Sequence, residues 1–134
     1  MKTWINTALF LLGLCALPAM AQQGHPLSGT WQGDWGEQGG TAHFLTLIME
    51  WDGSRITGIA NPGPDSTAID TMTLDASDWS VRIDMDIKDS AGNTVRFQGE
   101  GRLGNLGSQT RTLEGTWRGN GRSGRFSLTR QSGA

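Results

Sequence analysis

The sequence predicts an all-β fold, an eight-stranded antiparallel up-and-down β-barrel, on three observations. Beyond residue 22 the chain reads as eight short alternating segments, with no window of helical period. Nearly all the connections between them are of hairpin length, so no crossover is available. Two similar pentapeptides, Leu27-Ser28-Gly29-Thr30-Trp31 and Leu113-Glu114-Gly115-Thr116-Trp117, stand near the two ends. First and last strands meet in a closed sheet, and like-shaped segments at both ends suit that closure.

The strands are expected at 28–35, 42–51, 54–61, 67–75, 78–88, 93–104, 109–118 and 123–130. Asp52-Gly53-Ser54, Ser90-Ala91-Gly92-Asn93 and Asn120-Gly121-Arg122 supply turn chemistry between them. Asn61-Pro62-Gly63-Pro64-Asp65-Ser66 is a wider loop, because its two prolines forbid ladder donors. The segment 79–88 fixes the inner face: Trp79, Val81, Ile83, Met85 and Ile87 are apolar, whereas Ser80, Arg82, Asp84, Asp86 and Lys88 are not. Val95, Phe97, Gly99, Gly101 and Leu103 continue that phase, with glycines where a barrel corner needs a bend. The same parity turns Trp31, Gly33, Trp35, Leu45, Leu47, Met49 and Trp51 inward. It leaves Phe44 and Ile48 outside, at an oligomer contact or a bulge.

Strand direction sorts the interior into two ends. Trp31, Trp51, Trp79, Leu103, Arg111 and Arg130 fall at the lower end; Trp35, His43, Asp70, Met85, Val95 and Trp117 fall at the upper. Arg130 ends the strand expected beside Trp31, where a guanidinium on an indole, hydrogen-bonded to carbonyls, would close the floor; both residues are read as structural.

Residues 1–21 read as a signal peptide: Lys2 near the start, an apolar run from Ala8 to Leu17, and Ala19-Met20-Ala21 before a cut at Gln22. The run is shorter than the about 20 residues a membrane span needs. Cys15 follows Leu14 rather than the small residue a lipid-anchor signal takes. The expected product is one domain, residues 22–134, in the periplasm or outside the cell. It has no cysteine, so it holds together by burial alone. Ten basic residues against thirteen acids leave a net charge of −3, which disfavours a nucleic-acid partner.

Gly29-Thr30-Trp31 with Arg130 at the far end resembles the Gly-x-Trp and terminal Arg pairing of the calycin superfamily, lipocalins and avidins among them. More of the chain, about residues 27–130, is similar to an uncharacterised bacterial secreted β-domain. It carries Gly29 to Gly33, Ile56-Thr57-Gly58, Phe97-Gln98-Gly99, Gly115 to Trp117 and Phe126 to Arg130. Those resemblances imply a barrel and export; no biotin-binding residue carries over.

Function is read from the upper end. Trp35, Met72, Met85 and Trp117 would form an apolar cup, with His43 and Asp70 orienting a polar group of a small apolar ligand, no cofactor being implied. The plain alternative is that these side chains fill the barrel. A catalytic alternative makes His43 and Asp70 the acid and base of a cyclase, isomerase or hydratase, with Arg111 as third member. A third is a protease-inhibitor-like module using an arm from Gln22 to Pro26, although that group usually carries a disulfide. The solution state is expected to be a monomer or a weak homodimer. Gly99-Glu100-Gly101-Arg102-Leu103-Gly104 spells a dinucleotide pattern inside a strand, where no helix N-terminus could hold a phosphate. Asp84, Asp86, Asp89 and Asn93 offer calcium-type oxygens but read as a solvated face, so no metal is assigned. Arg118, Arg122 and Arg125 cluster at the last hairpin, where an anionic partner would be attracted.

Overall fold

The computed structural model describes residues 25–131; the expected signal peptide and the residues 22–24 of the arm lie outside them. Eight antiparallel strands close into one barrel in sequence order: β1 (Gly29–Glu37), β2 (Ala42–Trp51), β3 (Ile56–Ala60), β4 (Thr67–Asp75), β5 (Ser80–Lys88), β6 (Thr94–Gly104), β7 (Thr112–Gly119) and β8 (Arg122–Arg130). Closure runs between β1 and β8, with Trp31 opposite Arg130 and Trp35 opposite Phe126. The fold class read from the sequence is therefore the observed one. The largest boundary difference is at β7: residues 109–111 belong to the preceding connection, where the Asn105 side chain donates to the Thr110 carbonyl.

Parity sets the core. Val81, Ile83, Met85 and Ile87 of β5, Val95, Phe97 and Leu103 of β6, and Trp31, Trp35, Leu45, Leu47 and Met49 are all buried, while their alternates face water. Apolar inside and charged outside is the reverse of a lipid-facing barrel. No helix among the described residues is long and apolar enough to cross a membrane. Inward glycines make room for the rings: a Cβ on Gly99 would stand 2.7 Å from the Phe97 ring, and one on Gly101 3.0 Å from the Phe126 ring.

Two parity expectations change. Trp79 precedes β5 rather than opening it; it sits at φ 62°, a conformation bulky side chains rarely adopt, and packs against the edge of the core. In β4 the pairing shifts between Ile69 and Thr71, opposite Met85 and Asp84 respectively, so Asp70 is the extra residue of a bulge. Ile69 and Met72 both point inward and Asp70 points out, which overturns its expected inward position. The β1–β2 register is continuous from Gly29 opposite Met49 to Gly36 opposite Ala42, so no bulge explains the outward Phe44, which is 87% exposed.

Candidate functional site

The lower end is closed by chain as well as by side chains. The segment before β1 folds across it, burying Leu27 completely, and the Leu27 carbonyl accepts the Trp31 indole N–H at 2.9 Å. His25 stacks on Trp51 with ring centroids 4.5 Å apart, and its Nδ1 accepts the Leu27 amide at 3.1 Å. Burial lowers the His25 pKa, because that environment favours the neutral ring. Arg130 donates from Nε to the Ser28 carbonyl at 2.8 Å, its guanidinium lying against Gly29. The expected hydrogen bond from Arg130 to a floor carbonyl is thus present, while no stack of its guanidinium on Trp31 is seen among the described residues. Arg111 donates to the Pro26 carbonyl at 3.2 Å. His25 and Pro26, expected as part of a free arm, are docked in this floor.

The upper end, the mouth, is closed by polar side chains over an aromatic cluster. Trp35 meets Trp117 edge-on at 5.0 Å and Phe97 at 6.0 Å, and Phe97 stacks on Trp117 at 5.7 Å. Above them His43 tilts over Trp35 at 4.8 Å. His43 Nδ1 accepts the Ser90 amide at 3.1 Å, so it carries no proton, and the Ser90 hydroxyl, 2.6 Å away, donates to it as well. This ties β2 to the β5–β6 turn. Across the mouth Arg122, whose inward parity separates it from Arg118 and Arg125, pairs with Glu37 and reaches Asp89 at 4.0 Å. The Asp89 carboxyl is held below the usual carboxylate range by the Asn93 amide first and the Ala91 amide next, against the cost of its burial.

The three candidate catalytic residues are not brought together. His43 is at the mouth and Arg111 at the floor, while Asp70 is outside the wall, bonded to Arg96 at 2.6 Å. Arg96 also reaches Asp86 at 3.2 Å, and the Asp70 bond foremost, then that of Asp86, raises the Arg96 pKa. His43 instead finds Ser90, a pair that has the composition of a nucleophile and base. The neighbouring amides are already committed, however: Ala91 and Asn93 donate to the Asp89 side chain and Gly92 to its carbonyl, so the turn presents no oxyanion donors. Of the candidate ligand-binding residues, Trp35, Met72, Met85 and Trp117 are all buried members of one packed core. The three aspartates that offered calcium-type oxygens accept bonds within the protein, Asp84 from the Thr71 hydroxyl, Asp86 from Arg96 and Asp89 from its own turn.

One polar atom in the aromatic cluster lacks a partner. The Trp117 indole N–H donates to the Gly36 carbonyl at 3.2 Å, but Trp35 Nε1, in a residue only 1% exposed, has no acceptor among the described residues. Arg111 Nε is similarly unbonded, yet that guanidinium has four further N–H donors and places one on Pro26; the Trp35 indole has a single donor. Compared with protein-family models, with curated proteins and with solved structures, the chain matches none.

Proposed function

We propose that this chain is an exported, non-catalytic binding module, a calycin-like barrel whose mouth admits a small apolar molecule carrying one hydrogen-bond acceptor. The observation that carries this reading is the unsatisfied Trp35 indole N–H, buried in a ring cluster under a mouth held by side-chain latches. A buried donor without an acceptor costs about 1–3 kcal/mol, and an acceptor on a bound molecule would recover much of that. The cup foreseen from the sequence is filled in the described conformation. The ligand therefore gains its room by release of the His43–Ser90 latch and displacement of Trp35, not by dropping into a ready chamber. Aromatic and methionine side chains, Met85 among them, suit such repacking because they present large, polarizable surfaces.

Native mass spectrometry of the protein purified from the compartment that holds it, joined to tryptophan emission during titration with an apolar carbonyl compound, tests the reading. A retained small-molecule mass, or a saturable emission change whose dissociation constant rises roughly 2- to 12-fold in Trp35→Phe, is expected from the loss of one hydrogen bond. A bare polypeptide mass together with an emission spectrum that no apolar probe alters would identify the barrel as a filled scaffold and end the proposal.

A further inference from the structure

A second site is built on the outside of the wall. The inward positions Gly99, Gly101, Gly115 and Gly124 carry no side chain, and added Cβ atoms there would stand 2.0 Å from the Glu100 carbonyl oxygen at Gly115 and 1.8 Å from the Gly36 oxygen at Gly124. These glycines let neighbouring backbones approach closely, and the outer face of this part of the sheet carries a concavity of about 730 Å³ across β5 to β8. Two cross-strand rows line it. One runs Asp84, Gln98, Arg118, Ser123 and the other Arg82, Glu100, Thr116, Arg125. Gln38 closes one side from the β1–β2 turn.

The charges in these rows are unevenly spent. Arg82 pairs with Glu100 at 2.8 Å, and Asp84 accepts the Thr71 hydroxyl at 2.8 Å. Arg118 and Arg125 make no ion pair among the described residues, although Glu114 and Asp34 lie one row further on, either side of Ser127. Arg118 faces Ser123 and Arg125 faces Thr116, which makes the arginines diagonal neighbours on adjacent strands, close enough for two forks to converge on one oxyanion. Around them Gln38, Gln98, Thr116 and Ser123 offer uncharged donors and acceptors, the groups that match hydroxyls.

We propose that this concavity binds an oxyanion carried on a hydroxyl-rich small molecule, a sugar acid or a sugar phosphate, with Arg118 and Arg125 on the charge and the glutamines and hydroxyls on the sugar. The side chains assigned to the ligand point away from the core, although Trp117 of the mouth cluster also borders the concavity. The test is amide chemical-shift titration of the isotope-labelled exported protein with sodium glucuronate and with glucose 6-phosphate, glucose serving as the neutral control. Saturable shifts at Gln98, Thr116, Arg118, Ser123 and Arg125 are expected for at least one anion; which one responds identifies carboxylate or phosphate as the source. Binding weakens in about 0.5 M salt, where exposed charges are screened within a few ångströms. It falls about tenfold in Arg118→Gln/Arg125→Gln, the loss of one charge-assisted contact or more. Glu100→Gln, which frees Arg82, tightens it. Equal shifts with glucose, undiminished binding in the double variant with an otherwise unchanged spectrum, or no movement of these amides at about 50 mM ligand, beyond any useful affinity, would overturn the proposal.

Discussion

The two ends of this barrel are closed by different chemistry. At the floor the chain itself crosses the opening, and the buried Trp31 indole with the half-buried Arg130 and Arg111 guanidinia bond to the backbone carbonyls of Leu27, Ser28 and Pro26. At the mouth no segment among the described residues crosses; side chains clasp over the rings, and several of those, Ser90 and Glu37 among them, stand in water. A buried hydrogen bond to backbone costs more to break than an exposed side-chain pair, because breaking it strands a desolvated carbonyl. The floor is accordingly expected to hold more of the stability, and the mouth to open first.

Removing the floor's centrepiece is the sharpest way to break this contrast. Trp31→Ala deletes a fully buried ring and leaves the Leu27 carbonyl unpaired, so it should lower unfolding free energy by about 3–5 kcal/mol in a urea titration. Arg130→Met keeps much of the stem but leaves the Ser28 carbonyl unsatisfied, at a cost of about 1–3 kcal/mol. If either variant unfolded at the wild-type urea midpoint, the floor would not be the stable end.

Most of this architecture was legible because alternation is strict where one face of a strand is buried and the other is wet. Val81 to Ile87 and Val95 to Phe97 leave no second register. Asp70 escaped because a bulge adds a residue that simple parity does not count; its trace is Ile69 and Met72, two apolar residues three apart on one strand. The His43–Ser90 bond joins positions 47 apart by bringing the start of β2 against the β5–β6 turn, which no local pattern encodes. The arginine cluster was visible as composition. That Arg122 belongs to the mouth and only Arg118 and Arg125 to the outer concavity was implicit in the phase of Gly124, Phe126 and Leu128.

A smaller effect is expected at the mouth. Ser90→Ala removes a hydroxyl from an exposed bond and should change global stability by no more than about 1 kcal/mol. Amide hydrogen exchange in residues 89–93 should nevertheless quicken several-fold, with exchange at Leu27 and Trp31 unchanged. Equal quickening at both ends would mean that mouth and floor open as one unit.

The smallest effect is a pH dependence belonging to the floor. The folded pKa of His25 lies below its ordinary value near 6.5, so between the two the unfolded chain binds the proton and the folded chain does not. Stability from the neutral ring is therefore complete above about pH 6.5 and falls as pH drops through the folded value. Protonation would also turn Nδ1 from acceptor to donor and break its bond from the Leu27 amide. The urea midpoint should decline from pH 7 to pH 5, with faster exchange at Leu27. In His25→Asn, where no ring titrates, that part of the decline should vanish; a variant whose pH profile overlaid the wild type would show that the stack on Trp51 does not select the neutral ring.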